Sequence, residues 1–88
     1  MTTKNILNSK GSKVANQFII TIENGDKMFK SYNSNVCKII ERDVFLDPTY
    51  WDYSKTTIKY LCKFLGINSK KEILHWIDSG IYKFANLN

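Results

Sequence analysis

From Val14 onward the chain alternates. Val14, Asn16, Phe18, Ile20 and Ile22 fall on one side of an extended backbone and Gln17, Ile19, Thr21 and Glu23 on the other, the period of a half-buried strand. Asn24-Gly25 follows, and both residues tolerate the positive φ of a tight hairpin turn. A second strand is predicted over Lys27 to Tyr32, a turn at Asn33-Ser34-Asn35, and a third strand over Val36 to Ile40. Glu41-Arg42-Asp43 turns again into the short run Val44-Phe45-Leu46, and Asp47-Pro48 ends the meander because proline has no donor for a ladder.

Beyond the proline the period lengthens to that of a helix. Ser54 is placed to cap a helix over Lys55 to Leu65, and Gly66 to close it in the left-handed region. Thr57, Ile58, Tyr60, Leu61, Cys62, Phe64 and Leu65 share one broad arc of that helix, while Lys55, Lys59 and Lys63 fall together opposite. Ser69-Lys70-Lys71-Glu72 fits a capping box, so a second helix is predicted to about Ser79, with Ile73, Trp76 and Ile77 on its apolar face and Gly80 as its stop. Ile81 to Phe84 then returns as an edge strand or a packed tail. Strands and helices are segregated along the chain. The fold class expected is therefore α+β, a small antiparallel sheet of three or four strands, with a possible extra C-terminal strand, packed against two helices. Residues 1–12, polar and without a period, are expected to be a flexible basic arm, leaving 13–88 as the single domain.

Composition supports one core and no more. The chain has 88 residues, 43% apolar and 24% charged, which is outside the range of disordered or membrane-spanning chains. No apolar run is long enough to cross a bilayer, and the N-terminus carries Lys4, Lys10 and Lys13 where an export signal would need an apolar stretch, so a cytoplasmic protein without membrane contact is expected. Cys37 and Cys62 lie in apolar-patterned segments and are read as buried, reduced thiols.

Charge gives the first hint of a partner. The net charge is +5, and Arg42 is the only arginine. Lysine is a point charge without the guanidinium fork that reads base edges, so contact with phosphates or with shape is favoured over base reading. Tyr53 to Lys71 contains five lysines and no acid. Its ridge of Lys55, Lys59 and Lys63, extended by Lys70 and Lys71, is the candidate surface for nucleic acid or a nucleoprotein complex, with Trp51 or Tyr53 stacking nearby; a solvated helix face is the plainer alternative. Tyr32, Tyr50, Trp51 and Tyr53 together fit either a stacking platform or a plug at the sheet-to-helix junction.

Catalytic chemistry is not signalled. His75 has Glu72 and Asp78 three residues to either side but no nucleophile, and Cys37, Cys62 and His75 do not match zinc spacing, so neither an enzyme nor a metal or other cofactor is expected. The Phe64 to Gly80 stretch has some features of a helix-turn-helix, but the interval from Gly66 to Ile73 is one residue too long for the excisionase-like pattern.

Val14-Ala15-Asn16-Gln17-Phe18, Phe29-Lys30-Ser31-Tyr32-Asn33-Ser34, Trp51-Asp52-Tyr53-Ser54-Lys55-Thr56-Thr57 with Lys59-Tyr60, Phe64-Leu65-Gly66 and Ser79-Gly80-Ile81-Tyr82-Lys83 resemble, in order, a family of short, uncharacterised proteins encoded by tailed phages and prophages. The resemblance implies a small accessory protein that works by binding in the cytoplasm of an infected or lysogenic cell, in host takeover or against host defence. It would coat nucleic acid or, alternatively, act as a stoichiometric inhibitor or adaptor that blocks a host enzyme or defence complex through exposed aromatics or a free sheet edge.

Overall fold

A computed structural model describes residues 1–88. Six strands, β1 (Thr2–Leu7), β2 (Lys13–Thr21), β3 (Lys27–Ser31), β4 (Ser34–Ile40), β5 (Asp43–Leu46) and β6 (Tyr82–Phe84), form one sheet in sequence order; between the last two come α1 (Lys55–Leu65) and α2 (Lys70–Asp78). The first five strands are antiparallel neighbours, and β6 lies parallel to β5. The α+β class is as expected, with more strands than three or four.

The largest difference is at the N-terminus. Residues 1–12, expected as a mobile arm, begin with β1, which pairs with β2 from Thr2↔Thr21 to Asn5↔Phe18. Ile6 supplies the apolar anchor at 3% exposure. The Asn8 side chain closes the hairpin by accepting from the N–H groups of Lys10 (2.9 Å) and Ser12 (3.0 Å). β1 shows no alternation because Thr2, Thr3 and Lys4 are all exposed and Ile6 is its one buried residue, so most of the strand has no covered face to impose a period of two.

The register of β2 decides which of its faces is covered. Gln17 pairs with Ser31 and Ile19 with Phe29, Phe29 with Cys37, and Cys37 with Leu46. This row lies under the helices: Phe29, Cys37, Leu46, Leu61 and Ile73 are fully buried, and Ile19 packs against them. Phe18 and Ile20, from the more apolar side of β2, pair with Lys30 and Met28 on the opposite face. Tyr32-Asn33 and Glu41-Arg42 are the two-residue turns of the β3–β4 and β4–β5 hairpins, each starting with a residue of positive φ (55° at both Tyr32 and Glu41).

Both predicted helices are present. Ser54 Oγ accepts the Thr57 N–H at 3.1 Å, and Gly66 closes α1 with φ 74°. The capping box of α2 does not form. The Glu72 N–H donates to the backbone carbonyl of Ser69 at 3.1 Å, which takes the proton the Ser69 hydroxyl would have accepted, and Ser69 makes no side-chain cap bond. No helix is long and apolar enough to cross a membrane.

Candidate nucleic-acid interface

Residues four apart on a helix project in nearly the same direction. Lys55, Lys59 and Lys63 therefore stand in line along α1, and all three are exposed. Lys63 Nζ reaches over the sheet edge and donates to the Leu7 carbonyl at the end of β1. The other two turn toward α2. With Lys70 they line an open groove of about 430 Å³ between the helices, alongside Asn68 and Ser69. Lys71 is exposed on α2 but does not line this groove.

No carboxylate forms an ion pair with the cluster. The only ion pair in the protein joins the N-terminal ammonium to Glu23 at 3.9 Å. Aromatic rings sit near two of the ammonium groups instead: Lys70 Nζ lies 5.6 Å from the Trp51 ring centre and Lys59 Nζ 5.3 Å from that of Tyr60. Cys62, also on the groove wall, is a free thiol pushed upward in pKa by burial and then by the charge of Glu72.

Trp51 is not a stacking residue. It is 7% exposed, packed in the core, so its ring has no face to offer a base; it braces Lys70 from beneath. Tyr53 is the opposite case at 73% exposure. Its ring tilts against that of Tyr50 with centres 5.8 Å apart. Tyr32, on the β3–β4 turn, faces the same space, and with Ser31, Ser54 and Thr57 these rings line a second groove of about 650 Å³. The first turn of α1 separates the two: Ser54, Thr56 and Thr57 line the tyrosine groove, Lys55, Ile58 and Lys59 the lysine groove. Sequence reasoning identified the aromatics but not the hydroxyls of Ser31, Ser54 and Thr57 as groove-lining groups; Ser54 was signalled as a helix cap, and Ser31 and Thr57 only by their place within the blocks at 29–34 and 51–57.

His75 is exposed on α2 with its ring edge against Trp76, centres 4.9 Å apart, and lines neither groove. No three of the His, Cys, Asp and Glu side chains come together as a metal-ligand set. A family model described as a family of unknown function (DUF8033) matches residues 1–79. No curated protein and no solved structure matches the chain.

Proposed function

The chain belongs to a family of unknown function (DUF8033), and we propose that it is a small accessory binding protein without catalytic activity, of the kind carried by tailed phages and prophages, that docks on nucleic acid or a nucleoprotein complex in the cytoplasm of the host cell. The observation that carries this reading is the groove shared by Lys55, Lys59 and Lys70, three exposed ammonium groups with no carboxylate bound to them. Such a cluster gains by exchanging condensed counterions for phosphate oxygens, and the net charge of +5 steers a polyanion toward it. Lys63 and Lys71 flank the groove and extend the positive field, and Tyr53 is the aromatic available beside it.

Fluorescence anisotropy with a labelled oligonucleotide tests the reading. Affinity is expected to fall steeply between about 50 and about 200 mM salt, and the double substitution Lys55→Glu/Lys59→Glu should abolish binding while leaving the melting temperature unchanged. Salt-independent binding, or full affinity in the double variant, would overturn it.

A second reading has its own observation. β1 is a six-residue edge strand whose outer backbone groups have no partner strand, a template for strand addition by another protein. In that case the protein acts as a stoichiometric inhibitor or adaptor of a host enzyme or defence complex. Capture of a defined host protein that persists after nuclease treatment and at about 0.5 M salt favours this reading over phosphate docking.

A further inference from the structure

We propose that the groove walled by Tyr32, Tyr50 and Tyr53 takes an unpaired nucleobase, so that the protein selects single-stranded over duplex nucleic acid. The inference rests on phosphate docking at Lys55 and Lys59 and adds a base site on the other side of the first turn of α1. Three features favour a flat, neutral, hydrogen-bonding ring. The first is the walls: Tyr32 and Tyr53 keep 56% and 73% of their surface exposed, and the Tyr53 ring is supported on one side by Tyr50. Sequence-tolerant stacking on such rings is the usual way single strands are held.

The second is the floor. Ser54 Oγ and Thr57 Oγ1 are 3.0 Å apart, and Thr57 Oγ1 and Ser31 Oγ 3.4 Å apart. Ser31 and Thr57 are buried, at 4% and 3% exposure, so the half-buried Ser54 hydroxyl is the one that meets the groove. Three hydroxyls with only two mutual contacts leave one proton over, which the Ser54 hydroxyl can donate while its oxygen retains acceptor capacity. The edge of a base presents both donors and acceptors. No charged side chain lines this groove, which suits an uncharged ring better than a phosphate.

Positioning is the third feature. Tyr32 opens its turn with φ 55°, a conformation that Asn or Gly would adopt more easily than an aromatic residue. It is held there by its N–H, which donates at 2.7 Å to the carbonyl of Asn16, itself at φ 64°. The hairpin turn requires this φ at its first position, as it does at Glu41 in the next hairpin, and it is the place of the β3–β4 turn beside α1 that brings the Tyr32 ring to the groove. A strand laid across the first turn of α1 would place a base among the tyrosines and the neighbouring phosphates over Lys55 and Lys59.

Binding of the full chain to three equal-length labelled probes tests this: a single strand, the same single strand with abasic sites, and a duplex. The single strand is expected to bind about tenfold tighter than the abasic strand, and more tightly than the duplex. Tyr53→Ala and Tyr32→Ala should each remove most of that advantage without changing duplex affinity, and Tyr53→Phe should keep it. Equal affinity for single and abasic strands, or unaltered single-strand binding in both alanine variants, overturns the base site while leaving phosphate docking intact. Undiminished binding of every probe by Lys55→Glu/Lys59→Glu overturns phosphate docking itself, and failure of the wild type to bind any probe overturns both.

Discussion

Asn88 donates its side-chain amide to the carboxylate of Asp47 at 3.0 Å, across 41 positions of sequence. The same Asp47 oxygen accepts the Leu87 N–H at 3.0 Å, and the other accepts the N–H groups of Thr49 (2.9 Å) and Tyr50 (3.1 Å). Asn88 in turn exchanges two bonds with the Asn35 backbone. One 2%-exposed carboxylate thus ties the C-terminal tail to the start of the connector that leads to α1.

Asp47 should make stability depend on acid. Burial by itself raises its pKa, but the donors from Leu87, Asn88, Thr49 and Tyr50 outweigh it and leave the carboxyl below its ordinary value. A group with a lowered folded pKa contributes fully above the unfolded value of about 3.9, and the contribution disappears as pH falls through the folded value. Asp47→Asn is expected to cost about 2 kcal/mol at neutral pH, with the gap to wild type closing in acid. Urea titrations at pH 7 and at about pH 2.5 check this, and a gap independent of pH would contradict it.

The two helix starts should respond differently to the same substitution. Ser54→Ala removes the bond to the Thr57 N–H and is expected to cost about 1 kcal/mol. Ser69→Ala removes no such bond and should stay within about 0.5 kcal/mol of wild type. Thermal melts of the two variants provide the comparison; equal losses would mean that Ser69 caps in solution.

Gln17 is the place where the core is poorest. It is 1% exposed, and neither Oε1 nor Nε2 finds a hydrogen-bond partner in the protein. A buried amide without partners costs more than an apolar chain of the same shape. Gln17→Met, which nearly conserves volume, is expected to stabilise the fold by about 1 kcal/mol. A lower melting temperature would show that the amide is satisfied.

Removing single lysines should sort the ridge into parts. Lys59 lines the groove, whereas Lys63 is engaged with the Leu7 carbonyl. Lys59→Gln is expected to reduce the slope of log affinity against log salt by about 1, and Lys63→Gln to change it little. Anisotropy titrations at four or more salt concentrations would measure both slopes.

The elements with local signals were legible in the sequence. Ser54 and Gly66 bracket α1 from Lys55 to Leu65 as their types require, and Gly25 with φ 95° sits in the turn between β2 and β3. Signals that depend on distant partners were not. β1 becomes a strand only because β2 offers its edge, and Trp51 is core while Tyr53, two residues on, is not, because the connector turns one ring under Lys70 and the other outward. The tyrosine groove joins Tyr32 to Tyr53 through the placement of α1 beside the β3–β4 turn, which no local pattern encodes.

The direction of β6 has a consequence for how the molecule assembles. Five strands can zip together as successive hairpins, each closing over a few residues. A strand running alongside β5 in the same sense cannot be joined that way; its connection is the crossover that carries both helices. β6 is therefore the one strand whose place in the sheet depends on the helices, and the Asp47 clamp on the residues just beyond it is the latch that holds it shut.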